Sequence, residues 1–188
     1  MSYKLYQSDF IKNNHNQFLK ECSLYYQNIK SNFNIKDTTW EYNKYNIFGA
    51  TSPSYLFYIL YNELNYHIRS FIGDNRPLWI QSWLNYHKSD EITNKSLGLH
   101  GHDTNTHGYI SINPQSTITK FRNGLEIINK IGQIYIGPSS KSEQGTNGEW
   151  DHEVITLSKY TSPRITIAFD ITDDSDHTVN PRSFIPLL

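Results

Sequence analysis

From Leu78 onward the chain breaks into short β-branched and aromatic runs separated by Gly, Asn, Asp and Pro, and no other feature constrains the fold as much. The strand candidates are Leu78–His87, Leu97–His102, Gly108–Ile112, Thr117–Phe121, Leu125–Ile128, Gln133–Ile136, His152–Thr156 and Arg164–Ile171. Short strands at this spacing read as a sandwich or barrel, and eight of them fit a jelly roll. Ahead of them, residues 8–30 read as a helix with Ser8 as N-cap and Ile11, Phe18, Leu19, Cys22 and Tyr26 on one stripe. Residues 31–51 show no clear period and read as loop. Ser52-Pro53 marks the start of a second helix, because Ser accepts orphan N–H groups and Pro loses nothing at the first helical position. Leu56, Phe57, Leu60, Leu64, Ile68 and Phe71 give it one apolar face through about Ser70, and Gly73-Asp74-Asn75-Arg76-Pro77 stops it. That face is expected to lie on a sheet, so the fold class is mainly β (α+β), with two N-terminal helices buttressing a jelly roll.

Length and charge narrow the function classes. A chain of 188 residues is of single-domain size, divided into helical support over 1–77, a β core over 78–171 and a C-terminal tail over 172–188. Seventeen Lys+Arg against eighteen Asp+Glu leave a formal charge of −1, which offers no field to hold nucleic acid or an acidic membrane. Met1-Ser2-Tyr3-Lys4-Leu5-Tyr6 lacks a secretory apolar stretch, and no run of about 18 apolar residues follows. One cysteine, Cys22, suits a reducing compartment, so a cytoplasmic protein is expected. Heavy use of Asn, Lys, Ile and Tyr points to an A+T-rich genome such as a phage's, in which case the compartment is the host cytoplasm. Hydrophobic content of 37% is low, but 14% aromatic residues supply large buried area per residue.

Histidines carry the chemistry. His87, His100, His102 and His107 cluster, and His152 stands in the late strands. Side chains two apart on a strand share a face, so in His100-Gly101-His102 both imidazoles converge, while Gly lets a ligand approach. Arg164 follows His152 inside an Ile/Phe-rich strand, where a guanidinium needs a buried anion.

The order His100-Gly101-His102, then His152-Glu153-Val154, then Arg164-Ile165-Thr166 resembles the 2-oxoglutarate and iron(II)-dependent oxygenases. In that family an H-x-D/E pair and a later His hold iron, and an R-x-S/T pattern binds the cosubstrate carboxylate. Arg164-Ile165-Thr166-Ile167-Ala168-Phe169-Asp170-Ile171 is similar to its last core strand, and Trp83-Leu84-Asn85-Tyr86 and Gly108-Tyr109-Ile110 are similar to strands flanking the metal loop in small prolyl-hydroxylase-like and phage-encoded members. The resemblance covers about 78–171. It implies a double-stranded β-helix of cupin-like type and the cofactors Fe(II), 2-oxoglutarate and O₂, with a small-molecule or peptide substrate hydroxylated as 2-oxoglutarate yields succinate and CO₂. Arg164 and Thr166 would take the distal carboxylate by charge-assisted hydrogen bonds, with Tyr135 or Tyr86 beside it. Asp151 and Glu153 flank His152 and are candidates to orient it, and residues 139–150 are a candidate lid.

One departure matters: two residues after His100 the family has a carboxylate and this chain has His102. Three arrangements remain open: His100, His102 and His152 together; His102 and His152 with Asp103; or His102 and His152 with solvent or His107 in third place. Two rival functions also stand. A three-histidine cupin enzyme would use no 2-oxoglutarate, and a non-catalytic jelly roll, such as a carbohydrate-binding or phage structural module, would use its Tyr and Trp as stacking platforms.

Overall fold

The computed structural model describes residues 2–41, 46–51, 54–88, 97–139, 148–173 and 183–187. Strand β1 (Lys4–Gln7) leads into helices α1 (Asp9–Asn13) and α2 (His15–Phe33), a 3₁₀ turn (Thr39–Glu41), and helices α3 (Ile47–Ala50) and α4 (Tyr55–Ile72). The β region runs β2 (Leu78–His87), β3 (Leu97–His100), β4 (Thr106–Asn113), β5 (Thr117–Phe121), β6 (Glu126–Ile128), β7 (Gln133–Pro138), β8 (His152–Thr156), β9 (Arg164–Asp173) and β10 (Ile185–Leu187).

The first helix starts where its cap predicts: Ser8 Oγ accepts from the Ile11 N–H at 3.1 Å. It does not run unbroken to residue 30. Asn14 turns out of helical geometry at φ −114° and ψ 22°, and its Nδ2 donates to the Phe10 carbonyl at 2.9 Å. Short polar side chains compete with the helix in this way. The N-cap of α4 is Ser54, whose Oγ accepts from the Phe57 N–H at 3.4 Å; Ser52-Pro53 lies outside the described residues. Gly73 ends the helix at φ +79° as expected. Residues 31–51, read as loop, contain the 3₁₀ turn and α3, elements too short to show a period.

The strands form two antiparallel sheets, a six-stranded one ordered β1-β7-β4-β9-β2-β10 and a four-stranded one ordered β3-β8-β5-β6. The eight expected strands make the jelly-roll pairing, β2, β9, β4 and β7 facing β3, β8, β5 and β6, and this is a double-stranded β-helix. Two further strands extend the larger sheet. β1 pairs with β7, and β10, inside the segment read as a tail, pairs with β2. Runs of three or four residues are below what alternation can detect, and Pro186 is tolerated because β10 is an edge strand.

The two faces of the larger sheet do different work. On β9, Ile165, Ile167, Phe169 and Ile171 join the main core with residues of α2 and α4, including Phe18, Cys22, Leu60 and Leu64. Arg164, Thr166, Ala168 and Asp170 alternate with them and face the space between the sheets. The far part of that space is filled by a smaller core of Tyr109, Phe121, Ile127 and Tyr135.

Gly108 shows how tightly β4, β7 and β9 meet. A Cβ there would lie 2.2 Å from the Tyr135 carbonyl oxygen and 2.3 Å from Phe169 Cζ, whereas one at Gly98 would meet nothing within 4 Å. Gly108→Ala is therefore expected to cost about 2–3 kcal/mol or more of unfolding free energy, against a change of at most about 1 kcal/mol for Gly98→Ala. Chemical denaturation of the pair measures this.

Candidate metal centre

β3 and β8 bring the first two histidines together by register, since His100 is paired with His152. Their ring centroids are 4.6 Å apart. β3 ends at His100, and Gly101 carries the chain round so that the His102 ring lies 5.4 Å from each of the others. One donor atom from each of His100, His102 and His152 falls within 4.8 Å of the others. The structure thus assembles the three-histidine arrangement. His107, on β4, is fully buried and stacks on His102 at 4.6 Å and His152 at 4.9 Å, outside the converging set. Asp103 lines the same cavity but is not in that set either.

Each of the three rings has an oxygen at Nδ1. His100 Nδ1 is 2.8 Å from the Gly98 carbonyl, His152 Nδ1 is 3.4 Å from the Trp150 carbonyl, and His102 Nδ1 is 2.8 Å from Asp170 Oδ1. An acceptor at Nδ1 favours the Nδ1–H tautomer and leaves Nε2 as the ligand atom. Burial, with the neighbouring imidazoles, holds His107 and His152 well below the usual histidine range, and burial with His102 lowers His100. His102 differs: burial alone would lower it, but Asp170 beside it, helped by Asp151, raises it. Neutral imidazoles converging on one point suit a first-row transition metal, so the residues present fit an iron(II) ion.

Arg164 opens β9 opposite His87 and is 5% exposed. Among the described residues no carboxylate pairs with it, and its Nε has no hydrogen-bond partner. Burial lowers its pKa, opposed by Tyr160 and Tyr109, yet a guanidinium stays charged. Thr166 follows on the same face, its hydroxyl 3.4 Å from Asn85 Nδ2. Arg164, Thr166 and the three histidines line one cavity of about 530 Å³, with Trp40, Thr38, Trp83 and Asn85 on the remaining wall.

The two candidate tyrosines sit elsewhere. Tyr135 is fully buried in the smaller core, stacked 5.2 Å from Tyr109 and 5.9 Å from Tyr3, and its hydroxyl lies over Gly137, where a Cβ would be 2.1 Å away. Tyr109, not Tyr135, lines the cavity. Tyr86 faces the helices, stacked on Tyr26 at 4.2 Å with its hydroxyl 3.2 Å from Ser23 Oγ. Asp151 pairs with Arg122 at 3.0 Å. Of the candidate lid, residues 140–147 lie outside the described residues.

Asp170 was missed by sequence reasoning, although a signal existed: it stands at even spacing from Arg164 in a strand otherwise apolar on alternate positions. Thr38 and Trp40 had no such signal, because their segment has no period.

Fold and site together define a double-stranded β-helix with a three-histidine metal-binding geometry and a buried arginine that no carboxylate pairs with among the described residues. No protein-family model matches the chain, and no curated protein does. Solved structures do. A viral collagen prolyl hydroxylase from Paramecium Bursaria Chlorella virus-1, in a 2OG complex, matches with a TM-score of 0.58 at 10% identity over 92% of this chain and 96% of that one. The non-heme alpha ketoglutarate dependent epimerase SnoN from nogalamycin biosynthesis matches at 0.56, with 9% identity over 92% of this chain and 76% of its own. HygX from Streptomyces hygroscopicus, with iron bound, matches at 0.52, with 10% identity over 92% and 82%. The chain shares the fold of the 2-oxoglutarate and iron(II)-dependent oxygenases. No helix among the described residues is long and apolar enough to cross a membrane.

A histidine with a depressed folded pKa contributes stability above its unfolded value, about 6.5, and loses it as pH falls toward the folded one. His100, His107 and His152 act in this sense, as does His87, lowered by burial and Arg164 to about 4. His102 acts oppositely, contributing below its unfolded value and losing that as pH rises through its raised pKa. Four histidines act in the first sense and one in the second, so chelator-treated protein is expected to show a Tm that falls from about pH 6.5 to pH 4.

Proposed function

We propose that this protein is a 2-oxoglutarate- and Fe(II)-dependent dioxygenase that hydroxylates a small-molecule or peptide substrate. The observation that carries the reading is Arg164: a buried guanidinium with no carboxylate partner among the described residues, opening into the cavity where three histidines converge. A buried cation of this kind is an anion site waiting for its ligand. The fold shared with a 2OG complex and an iron-bound structure supports the identity of that ligand.

His100, His102 and His152 would hold the iron through Nε2. Arg164 would take the far carboxylate of 2-oxoglutarate in its planar fork, and the Thr166 hydroxyl would donate to the same group. When bound, iron with 2-oxoglutarate and O₂ supplies the oxidising power for C–H hydroxylation, giving succinate and CO₂. The protein's remaining work is placement and exclusion of water. Trp83 backs the His102 ring at 5.8 Å, and half-exposed Trp40 with Thr38 and Asn85 forms the wall left for substrate. The solved relatives in fold include a hydroxylase and an epimerase, so they support the cofactor chemistry more than any one substrate.

A second reading is favoured by one residue. His102 stands where the oxygenase pattern has a carboxylate, and an all-histidine site also suits a metalloenzyme that uses no 2-oxoglutarate. Arg164 would then bind a carboxylate of the substrate itself.

Anaerobic titration of 2-oxoglutarate into the Fe(II)-loaded protein, followed by the visible band of the chelate, separates the two readings. The band is expected in wild type, absent in His152→Ala, and shifted to at least about 10-fold higher 2-oxoglutarate in Arg164→Ala, the scale of one or two hydrogen bonds to a charged group. Iron bound with no band at any 2-oxoglutarate concentration would overturn the oxygenase assignment in favour of the second reading.

A further inference from the structure

Asp170 sits in the middle of β9, 3% exposed, between Phe169 and Ile171 and paired in register with Gln81 and His107. A carboxylate in such a place costs several kcal/mol unless something compensates it. Among the described residues no Lys or Arg forms an ion pair with it. The ionic contact it makes among these residues is with the His102 ring, Nδ1 to Oδ1 at 2.8 Å, with both side chains less than 10% exposed. His102 in turn is the residue that replaces the carboxylate two positions after His100.

The two departures explain each other. Three neutral imidazoles around a divalent cation would leave two positive charges in a buried cavity that also holds the Arg164 guanidinium. A carboxylate ligand would remove one of them. Here the ligand position is imidazole, and the carboxylate stands directly behind it, on β9 of the facing sheet.

We propose that Asp170 is the positioning residue of the metal centre: it orients His102 with Nε2 toward the shared point and returns to the site the negative charge that a carboxylate ligand would have brought. Carboxylates behind metal-bound histidines raise ligand basicity and fix the ring, and their loss typically costs about 10–100-fold in metal affinity. The inference rests on the three-histidine metal site and not on the use of 2-oxoglutarate. It also assigns a reason for an aspartate in a strand whose other buried positions are mostly apolar.

The test uses Co(II) as probe, because its visible spectrum reports the ligand set without turnover. Wild type, Asp170→Asn and Asp170→Leu are titrated with Co(II) after chelator treatment, with Tm recorded for the metal-free forms. Asn keeps the size and an acceptor for Nδ1–H but not the charge; Leu keeps neither. Co(II) affinity is expected to fall by about 10-fold or more in Asp170→Asn and further in Asp170→Leu, with Tm of the metal-free Asn variant unchanged or higher. In a His102→Ala background, Asp170→Asn is expected to have no further effect on affinity. Nitrogen NMR of wild-type protein carrying Zn(II) gives a check independent of any variant, with the His102 proton expected on Nδ1. Wild-type affinity and spectrum in both Asp170 variants, or a His102 ring metallated through Nδ1, would overturn the proposal. Failure of the wild-type protein to bind Co(II) at all would instead overturn the metal centre under it.

Discussion

The ladder between β2 and β9 is the constraint on which the rest depends. It runs unbroken over ten residue pairs, from Leu78 opposite Asp173 to His87 opposite Arg164. Both strands are almost wholly buried, so the sheet they form must satisfy two different surroundings at once. The two-residue period of a strand does this without further apparatus. Leu78, Ile80, Leu84 and Tyr86 of β2, with the odd-numbered residues of β9 from Ile165 to Ile171, meet the helices. Trp83, Asn85, Arg164, Thr166 and Asp170 meet the cavity. A slip of one residue would drive Arg164 into the helical core and an isoleucine into the site. Register is therefore enforced by charge as well as by hydrophobicity.

Within the cavity the chain keeps two buried ions on one strand face without pairing them. Arg164 and Asp170 have opposite charges, yet each addresses a different part of the site: the arginine faces open cavity, and the aspartate faces His102. Had they paired, both would be satisfied and neither available. Their separation along β9 keeps a cationic end and an anionic end in one pocket.

Much of this was legible in the sequence, and the exceptions have physical causes. The boundaries of Thr117–Phe121 and His152–Thr156 follow from alternation between clear turn residues. Arg164 and Thr166 reach one cavity face by strand alternation, whereas β3 ends at His100, short of the expected Leu97–His102, and His102 reaches the cavity through the turn at Gly101. Asn14 broke a helix that periodicity alone joined, because periodicity does not register a side chain that takes over a backbone carbonyl. Tyr135 does face the space between the sheets, but β7 is separated from β9 by β4, so it packs against Tyr109, Tyr3 and Phe121 and not on the cavity, a distance across the sheet that alternation along one strand does not report. Asp170 needed the three-dimensional position of His102. Only the fold supplies that.

The segment before α3 is stitched to β2 rather than lying loosely over it. The Tyr86 N–H donates to the Asp37 carbonyl at 2.7 Å, the Leu84 N–H donates to Thr39 Oγ1 at 2.9 Å, and Thr38 bridges Asn85. Two of these contacts join backbone to backbone and the third uses the Thr39 hydroxyl, so they hold the segment whatever stands at positions 38 and 40. Thr38 and Trp40 are thereby delivered to the cavity wall by a frame that does not depend on their identity, while the histidines and Arg164 come from other strands. Substitution at two or three positions of one short segment would therefore reshape one wall of the cavity while leaving the histidines and Arg164 where they stand.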